Sequence, residues 1–355
     1  MKNLFFISIV LVLAAGLFIF SFKYKKLEKN SKDIRTVEVM DEKQKKDEQI
    51  QDMYESAIEY INAGQDKNAI KVWRTFIKEY PNSQYTPRAY YELGKDKIIN
   101  KDTDIAKKYF KKLISLFPND NYCAYAFYEL AKLDEQEGDY KEALVSYKKI
   151  KEEYFFIDNI QEVIEKIDDL SIKIIFSPIK FSKSIDYEVR SGDSLYAIAK
   201  KFNTTIEFIE EANNLNKKTI HPGDRIKLLD PKIEFSLNID KSQKTLTLNM
   251  DGEYLKKYRI AVGKNDATPI GEFKVQNKLK DPVWFNNGVA ISPRDPKNIL
   301  GTRWIGFHND IGLHGTIDTN PITEQSTSGC IRLYNRDIEE LYKILRVGDK
   351  ITVTQ

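Results

Sequence analysis

A cysteine and a histidine near the C-terminal end of the chain have the residue types and neighbours that nucleophilic catalysis needs. His314 is followed by Gly315, and Cys330 lies in the run Thr327-Ser-Gly-Cys-Ile-Arg-Leu. A thiol attacks as its thiolate, and a neutral imidazole can take the proton from it. Because sixteen positions separate the two residues, a returning loop must bring them together. We expect Cys330 to be a nucleophile and His314 its general base and acid.

Glycines beside both side chains would let a substrate backbone approach closely. Gly315 and Gly329 lack a Cβ atom, which permits conformations and contacts that other residues exclude. The amides of Gly329 and Cys330 could then face an oxyanion that develops on the attacked carbonyl. A lone cysteine is more often a small buried hydrophobic residue, but the flanking glycine and arginine favour catalysis here.

The His-Gly pair followed by Thr-x-Gly-Cys-Ile-Arg resembles the signature of the YkuD-type L,D-transpeptidases. The resemblance implies that Cys330 attacks the peptide bond after the third residue of a peptidoglycan stem, with His314 as its base. The carbonyl of Gly315 would orient the imidazole. Arg332 would help to hold the site and the substrate carboxylate, although a structural ion pair is an alternative. Thr327 stands where many members have serine, and it keeps the hydroxyl group.

This resemblance extends upstream and covers roughly residues 232–355. It runs through Thr268–Phe273, Asp281–Trp284 and Asn298–Phe307. The expected substrate-binding residues are Arg332, Thr327, Ser328 and Trp304.

Residues 232–355 are predicted to form mainly strands. Asp251-Gly252 is a hairpin signal, and a last strand is predicted over residues 351–354. An all-β sandwich with one helix, which Asn335 can cap, is the natural fold. The alternating apolar residues of the first strands are Ile233, Phe235, Leu237, Ile239, Leu246 and Leu248, and the apolar face of the helix has Ile338, Leu341, Tyr342 and Leu345.

A smaller module is predicted over residues 187–229. Its opening, Tyr187–Leu195, and the later run Pro222-Gly-Asp resemble LysM domains, which bind N-acetylglucosamine-containing glycans such as peptidoglycan. A purely structural adaptor is the alternative. The short tether around Pro231 would hold a bound strand close to the catalytic site. The candidate glycan-binding residues are Gly192, Asp193 and Asn213.

Local signals place two helices inside this module. Asp193 can cap the first, and Thr204 with Glu207 forms a capping box for the second. Strands are expected at residues 187–190 and 225–229. The module is therefore predicted as a small α+β unit.

Residues 51–165 repeat with a period of 37 residues. Large aromatic residues that face small alanines allow paired helices to interlock. The pattern resembles tetratricopeptide repeats (TPR), which implies a protein-binding surface; a spacer that lifts the enzyme from the membrane is the alternative. Cys123 is expected to be a packed thiol, and a linker is predicted over residues 166–186. The repeated residues are Trp73, Phe110 and Tyr147, with Ala69, Ala106 and Ala143.

The N-terminal region predicts a membrane anchor. After a short tail, residues 1–3, residues 4–22 contain no charge, and a helix of this length spans about 28 Å, enough to cross a bilayer core. Cleavage near Ala14-Ala-Gly16 is an alternative, but the apolar run continues past it. The lysines that follow favour a cytoplasmic C-terminus, whereas the wall-directed modules favour an extracytoplasmic one, which we adopt. Residues 23–50 form a charged spacer.

Composition excludes several other classes of function. The net charge is only +3, from 56 basic and 53 acidic residues, which gives no indication of nucleic-acid binding. One cysteine and two histidines in the C-terminal region match no zinc pattern, so neither a metal nor a cofactor is expected. His221, in a His-Pro-Gly turn, is interpreted as structural.

The sequence thus predicts a multidomain chain: a transmembrane helix, all-α TPR-like repeats, a small α+β LysM domain and a mainly-β catalytic sandwich. The function that the resemblance implies is a peptidoglycan L,D-transpeptidase. It would join third-position stem residues through a cysteinyl thioester. An L,D-carboxypeptidase or another stem-peptide hydrolase is the first alternative, and a non-catalytic wall-binding scaffold is the second.

Overall fold

The structure is a computed structural model that describes most of the chain. The described residues are Met40 and residues 42–215, 219–286, 288–316, 318, 320, 322–324 and 327–355. The chain divides after Ala126 into two compact units. The predicted tail and membrane span, residues 1–22, lie outside the described residues. In the part of the chain that is described, no helix is both long and apolar enough to cross a membrane.

The first unit consists of antiparallel helix pairs. Its helices are α1 (residues 42–62), α2 (Asp66–Glu79), α3 (Thr86–Ile99), α4 (Thr103–Leu116) and the start of α5 (Tyr122–Glu137). Trp73 and Phe110 are fully buried, as the repeat pattern predicts. A Cβ atom on Gly94 of α3 would lie 2.4 Å from the Phe110 ring, so the missing side chain allows α3 and α4 to pack this closely.

The second unit begins with two more helices of the repeat region, α6 (Tyr140–Glu153) and α7 (Ile160–Ile175). Tyr147 of α6 is fully buried, in the same register as Trp73 and Phe110. Helix α7 extends well beyond residue 165, where the repeats were predicted to end. The apolar face that continues along this helix consists of Val163, Ile167, Leu170 and Ile174, all of which are buried.

The LysM region folds as two strands and two helices. Strands β1 (Ser184–Glu188) and β2 (Arg225–Leu229) pair antiparallel around α8 (Leu195–Lys201) and α9 (Ile206–Ala212). Strand β1 begins three residues earlier than the prediction.

Both helix caps of the LysM region differ from the prediction by one residue. Ser194, not Asp193, caps α8 by accepting a hydrogen bond from the Ala197 amide. Thr205, not Thr204, caps α9. Asp193 instead accepts from the Arg190 amide and the Tyr187 hydroxyl, both at 2.8 Å, and so closes the loop that precedes α8.

The C-terminal region contains two larger sheets. Their strands, together with those of a separate hairpin, are β3 (Phe235–Asp240), β4 (Thr245–Met250), β5 (Glu253–Arg259), β6 (Gly271–Lys274), β7 (Asn277–Lys280), β8 (Trp284–Asn286), β9 (Val289–Ile291), β10 (Arg303–His308), β11 (Ile311–His314), β12 (Ile331–Arg332) and β13 (Lys350–Thr354). The five-stranded sheet has the order β5-β4-β3-β13-β6, and the four-stranded sheet has the order β12-β11-β10-β7. Strands β8 and β9 form the separate hairpin.

Alternation along β3 buries Phe235, Leu237 and Ile239, as predicted. The β4–β5 hairpin turns at Asp251-Gly252, where both residues have positive φ angles of 51° and 81°, as a type I′ turn requires. The predicted helix is α10 (Asn335–Ile344). Its N-cap is Tyr334 rather than Asn335, whose side chain has a different partner described below.

The LysM and C-terminal regions share one continuous hydrophobic core. The Thr205 hydroxyl donates to the Lys343 carbonyl at 3.0 Å, and the Arg346 guanidinium donates to the Pro231 carbonyl at 3.1 Å. The predicted short tether is therefore part of a packed interface, and the two regions are not joined as separate bodies.

A buried lysine closes the junction between α7 and the LysM region. Lys227 of β2 is 2% exposed, and its ammonium group donates to the carbonyls of Ile174, Ile175 and Ser177. These carbonyls are at or just beyond the end of α7, where the helix lacks internal partners and a cation is favoured. Burial lowers the pKa of Lys227 to about 8.

We predict that Lys227→Met destabilises this junction locally. The substitution keeps most of the side-chain volume but leaves buried carbonyls without their donor, which costs about 1–3 kcal/mol. Hydrogen exchange of the last turn of α7 in the full chain should speed up accordingly. Lys232→Met, at an exposed lysine, is the matched control. Equal exchange in both variants would contradict the prediction.

Candidate active site

Two short parallel strands determine where the histidine and the cysteine lie. In the pairing of β11 with β12, Leu313 is opposite Ile331 and His314 is opposite Arg332. Strand β11 ends at His314 and β12 begins at Ile331, so the chain returns between the two residues, as the spacing predicts. Cys330 directly precedes β12, and the backbone amide of Gly312 in β11 acts on its thiol, whose pKa it lowers. The structure thus places His314 at the end of β11 and Cys330 just before the neighbouring strand β12.

His314 is held in a single tautomer. Its ring is 2% exposed, and Nδ1 lies 2.7 Å from the carbonyl oxygen of Gly315. Because a carbonyl can only accept, Nδ1 carries the proton and Nε2 has the free lone pair. Burial lowers the pKa of His314 to about 4, and the positive charge of Arg332 acts in the same direction. The imidazole is therefore neutral at pH 7 and can accept a proton at Nε2.

Cys330 is a half-buried thiol. Its Sγ lies 3.8 Å from the Asp310 carbonyl oxygen, to which the thiol can donate. Burial raises the pKa of Cys330, while the Gly312 amide and the charge of Arg332 oppose this shift. The resting pair is consequently a neutral thiol with a neutral imidazole, and proton transfer must accompany attack on a substrate.

The loop that carries Cys330 is folded back on itself through Thr327. The Thr327 hydroxyl accepts from the Gly329 amide at 3.2 Å and donates to the Cys330 carbonyl. Its backbone is fixed as well: its amide donates to Val262 at 3.1 Å, and its carbonyl accepts from Lys264 at 2.9 Å. The Gly329 amide is thus already engaged, which leaves the Cys330 amide as the loop's candidate oxyanion donor.

Trp304, an expected substrate contact, lies against the catalytic histidine candidate. The two rings are nearly parallel, at 15°, with centroids 6.2 Å apart. The indole Nε1 donates to Asn277 Oδ1 at 3.0 Å. Trp304 also covers Gly312, where a Cβ atom would lie only 2.7 Å from the indole. Asn277 was not predicted, because a single polar residue in a strand gives no local signal.

Asn335 supports the backbone beside the histidine. Its Oδ1 accepts from the Thr302 amide at 3.1 Å. A Cβ atom on Gly315 would lie 2.1 Å from this oxygen, and one on Gly301 would lie 2.3 Å from it. The Asn335 side chain therefore fits only between two glycines. The sequence indicated Asn335 as a helix cap and not as a support for Gly315.

The remaining predicted contacts are spread around the cysteine loop. Arg332 is partly buried, and burial lowers the pKa of its guanidinium, while the charges of Asp318 and Cys330 oppose this shift. Ser328 is exposed.

Two of the candidate glycan-binding side chains serve the LysM fold. Asp193 closes the loop before α8. The side-chain NH₂ group of Asn213 donates to the backbone carbonyls of Ile209 and Lys227, and its side-chain oxygen accepts from the backbone amide of Lys227. Gly192 has a φ angle of 88°, which favours glycine in this turn.

Cys123 belongs to helix α5 and to the first compact unit. It is fully buried, and its thiol donates to the Phe117 carbonyl at 3.1 Å. Neither Cys123 nor Cys330 forms a disulfide bond in the part of the chain that the structure describes.

Family models match three parts of the chain. They describe an L,D-transpeptidase catalytic domain, YkuD, over residues 234–353, a LysM domain over residues 187–228 and a tetratricopeptide repeat-like domain over residues 39–162. All three resemblances seen in the sequence are therefore confirmed.

Curated relatives match the C-terminal half. YkuD of Bacillus subtilis (strain 168), named as an L,D-transpeptidase, is 30% identical over 177 residues, which is 48% of this chain and 99% of the relative. Its namesake in Bacillus licheniformis is 30% identical over 175 residues, 47% of this chain and 98% of the relative.

Solved structures that resemble the chain include an L,D-transpeptidase from Mycobacterium smegmatis. It is 23% identical with a TM-score of 0.31, and the match covers 38% of this chain and 64% of that one. An L,D-transpeptidase from Mycobacterium tuberculosis is 16% identical with a TM-score of 0.30, over 39% of this chain and 75% of the other.

The relative from Bacillus subtilis is matched along nearly its whole length, and the family model covers both the histidine strand and the cysteine loop. The chain belongs to the YkuD-type family of L,D-transpeptidases.

Proposed function

We propose that the chain performs the acyl transfer of its family on peptidoglycan stem peptides, with Cys330 as nucleophile and His314 as general base and acid. The protein is a cysteine acyltransferase by family. The observation that carries the residue assignment is the neutral His314 ring, whose Nε2 lone pair is set by the Gly315 carbonyl, on the strand next to Cys330.

The first half-reaction forms a thioester. His314 Nε2 takes the thiol proton as Cys330 Sγ attacks the carbonyl between the L-centre of the third stem residue and the terminal D-alanine. The Cys330 amide stabilises the oxyanion. The carbon–nitrogen bond then breaks, and D-alanine leaves with the proton from His314. Arg332, Thr327, Ser328 and Trp304 are the proposed residues around the bound stem.

The second half-reaction releases the acyl group. An amine on a neighbouring stem attacks the thioester, its proton passes through His314 to the sulfur, and a cross-link between third-position residues results. Water in place of the amine would give a tripeptide stem and make the protein a carboxypeptidase. The shape of the acceptor side of the cleft decides between these products.

The other regions direct this chemistry to the wall. The LysM region would bind glycan strands. Gly192, Asp193 and Asn213 would contribute to this binding by shaping the fold of the region. Residues 4–22 would anchor the chain in the membrane with the catalytic region outside the cytoplasm, where peptidoglycan is found. The TPR-like repeats would present a surface for a protein partner.

The direct test is incubation of the full chain with a disaccharide-tetrapeptide, followed by mass spectrometry of the products. Cross-linked dimer with loss of D-alanine is expected for the transpeptidase. Monomeric tripeptide alone would make the protein a hydrolase, and the absence of any product would favour the scaffold.

We predict that Cys330→Ala abolishes release of D-alanine and that His314→Gln lowers it about 100- to 10,000-fold, the usual contribution of a general base. The matched controls are Cys123→Ala, at the buried thiol of the repeats, and His308→Gln. Both controls should keep activity within about twofold of the original chain, since neither side chain belongs to the proposed mechanism. Full activity in Cys330→Ala would overturn the mechanism.

We predict that the acid limb of kcat/KM has its midpoint near pH 4. The pKa of His314 is lowered to about 4, so the base stays unprotonated, and the enzyme active, until the pH falls to that value. An ordinary histidine would lose activity near pH 6.5. D-alanine release should be measured from pH 3 to 8, with thermal unfolding at each pH as the control for stability. A midpoint near pH 6.5 would refute this assignment.

We predict that Tyr196→Ala weakens binding of the full chain to purified peptidoglycan. Tyr196 is 68% exposed in the first turn of α8, directly after the loop with Gly192 and Asp193, where its ring can stack on a sugar. Co-sedimentation should show about fivefold weaker binding, equivalent to about 1 kcal/mol. Tyr125→Ala, at an exposed tyrosine of the repeats, is the control. Unchanged binding would exclude this face of the LysM region.

A further inference from the structure

Thr268 has a fully buried hydroxyl group that joins two loops at the candidate site. Its Oγ1 donates to the Gly329 carbonyl at 2.9 Å and accepts from the Gly263 amide at 2.8 Å. The loops approach so closely that a Cβ atom on Gly263 would lie 2.8 Å from the Gly329 Cα. The hydroxyl therefore satisfies a donor and an acceptor that could not reach water.

This contact fixes the direction of the peptide group between Gly329 and Cys330. The chain contains no cis peptide bond among its described residues, and in a trans peptide the carbonyl and the N–H point in opposite directions. Because the Gly329 carbonyl points to Thr268, the Cys330 amide must point away from it. Gly329 itself has a φ angle of 140°, a conformation that favours glycine.

The remaining donors near the sulfur have other roles. The Gly329 amide donates to the Thr327 hydroxyl at 3.2 Å, and the Gly312 amide acts on the Cys330 thiol itself, whose pKa it lowers. The stabilisation of an oxyanion at this loop therefore depends on the Cys330 amide, whose direction Thr268 controls.

We propose that Thr268 is a positioning residue that aims the Cys330 amide at the oxyanion formed during acylation. This inference rests on the proposed function. A hydroxyl that only stabilised the loop would affect all reactions of Cys330 alike, whereas one that aims the amide affects only those that pass through an oxyanion.

Alkylation and acyl transfer separate these roles. Iodoacetamide alkylates a thiolate by direct displacement of iodide, with no tetrahedral oxyanion, whereas release of D-alanine requires one. Thr268→Val is nearly isosteric but lacks the hydroxyl group, and Thr268→Ser retains it. Both rates should be measured on the full chain, with thermal unfolding as a check; if the valine variant does not fold, Thr268→Ala takes its place.

In Thr268→Val we expect kcat for D-alanine release to fall about 10- to 100-fold, somewhat less than the loss of an entire oxyanion donor, with KM within about twofold. Alkylation of Cys330 should stay within about twofold, and Thr268→Ser should restore kcat. Unchanged kcat in the valine variant, failure of serine to restore it, or parallel losses of alkylation and transfer would each overturn the proposal. Absence of D-alanine release by the unaltered chain would instead reject the proposed function.

Discussion

The pairing of two very short parallel strands is the constraint on which the candidate site depends. Strands β11 and β12 share only two paired positions, yet these set His314 opposite Arg332 and Cys330 beside Gly312. Such a short ladder cannot hold its register alone. It is fixed from outside by Thr268, by the backbone bonds of Thr327 and by the contact of Trp304 with the histidine ring. The candidate pair is therefore positioned by the surrounding loops as much as by the sheet.

The same unit uses a buried lysine, Lys227, and a partly buried one, Lys278, to close helix ends. Lys227 binds the carbonyls at the end of α7, and Lys278 donates to the Tyr342 and Leu345 carbonyls at the end of α10. Burial lowers the pKa of Lys278 to about 8, as it does for Lys227. Because one hydrophobic core extends from the LysM region into both large sheets, a glycan strand bound by LysM would be presented to the catalytic face at a fixed position.

Local patterns predicted the modules and the strand alternation and singled out His314 and Cys330 as the candidate pair, because each of these features depends on neighbouring residues. Local patterns gave wrong or missing predictions where contacts between residues distant in sequence determine the structure. Ser194 and Thr205 replaced the predicted caps since neighbouring polar residues have similar capping energies and tertiary contacts select one; Thr205 also donates to Lys343. The roles of Asn277 and Asn335 arise only from contacts with Trp304 and Gly315. A shared core was found in place of the predicted tether because sequence periodicity does not reveal that the LysM region packs against the C-terminal region.

If Cys330 carries the acyl group, intact-protein mass spectrometry will detect the thioester on the full chain incubated with disaccharide-tetrapeptide and no acceptor. We expect an added mass equal to that of the substrate minus D-alanine. Peptide digestion should map this mass to Cys330, and hydroxylamine, which cleaves thioesters, should remove it. Release of D-alanine with the adduct on another residue, or without any adduct when the reaction is quenched within one turnover, would contradict this role of Cys330.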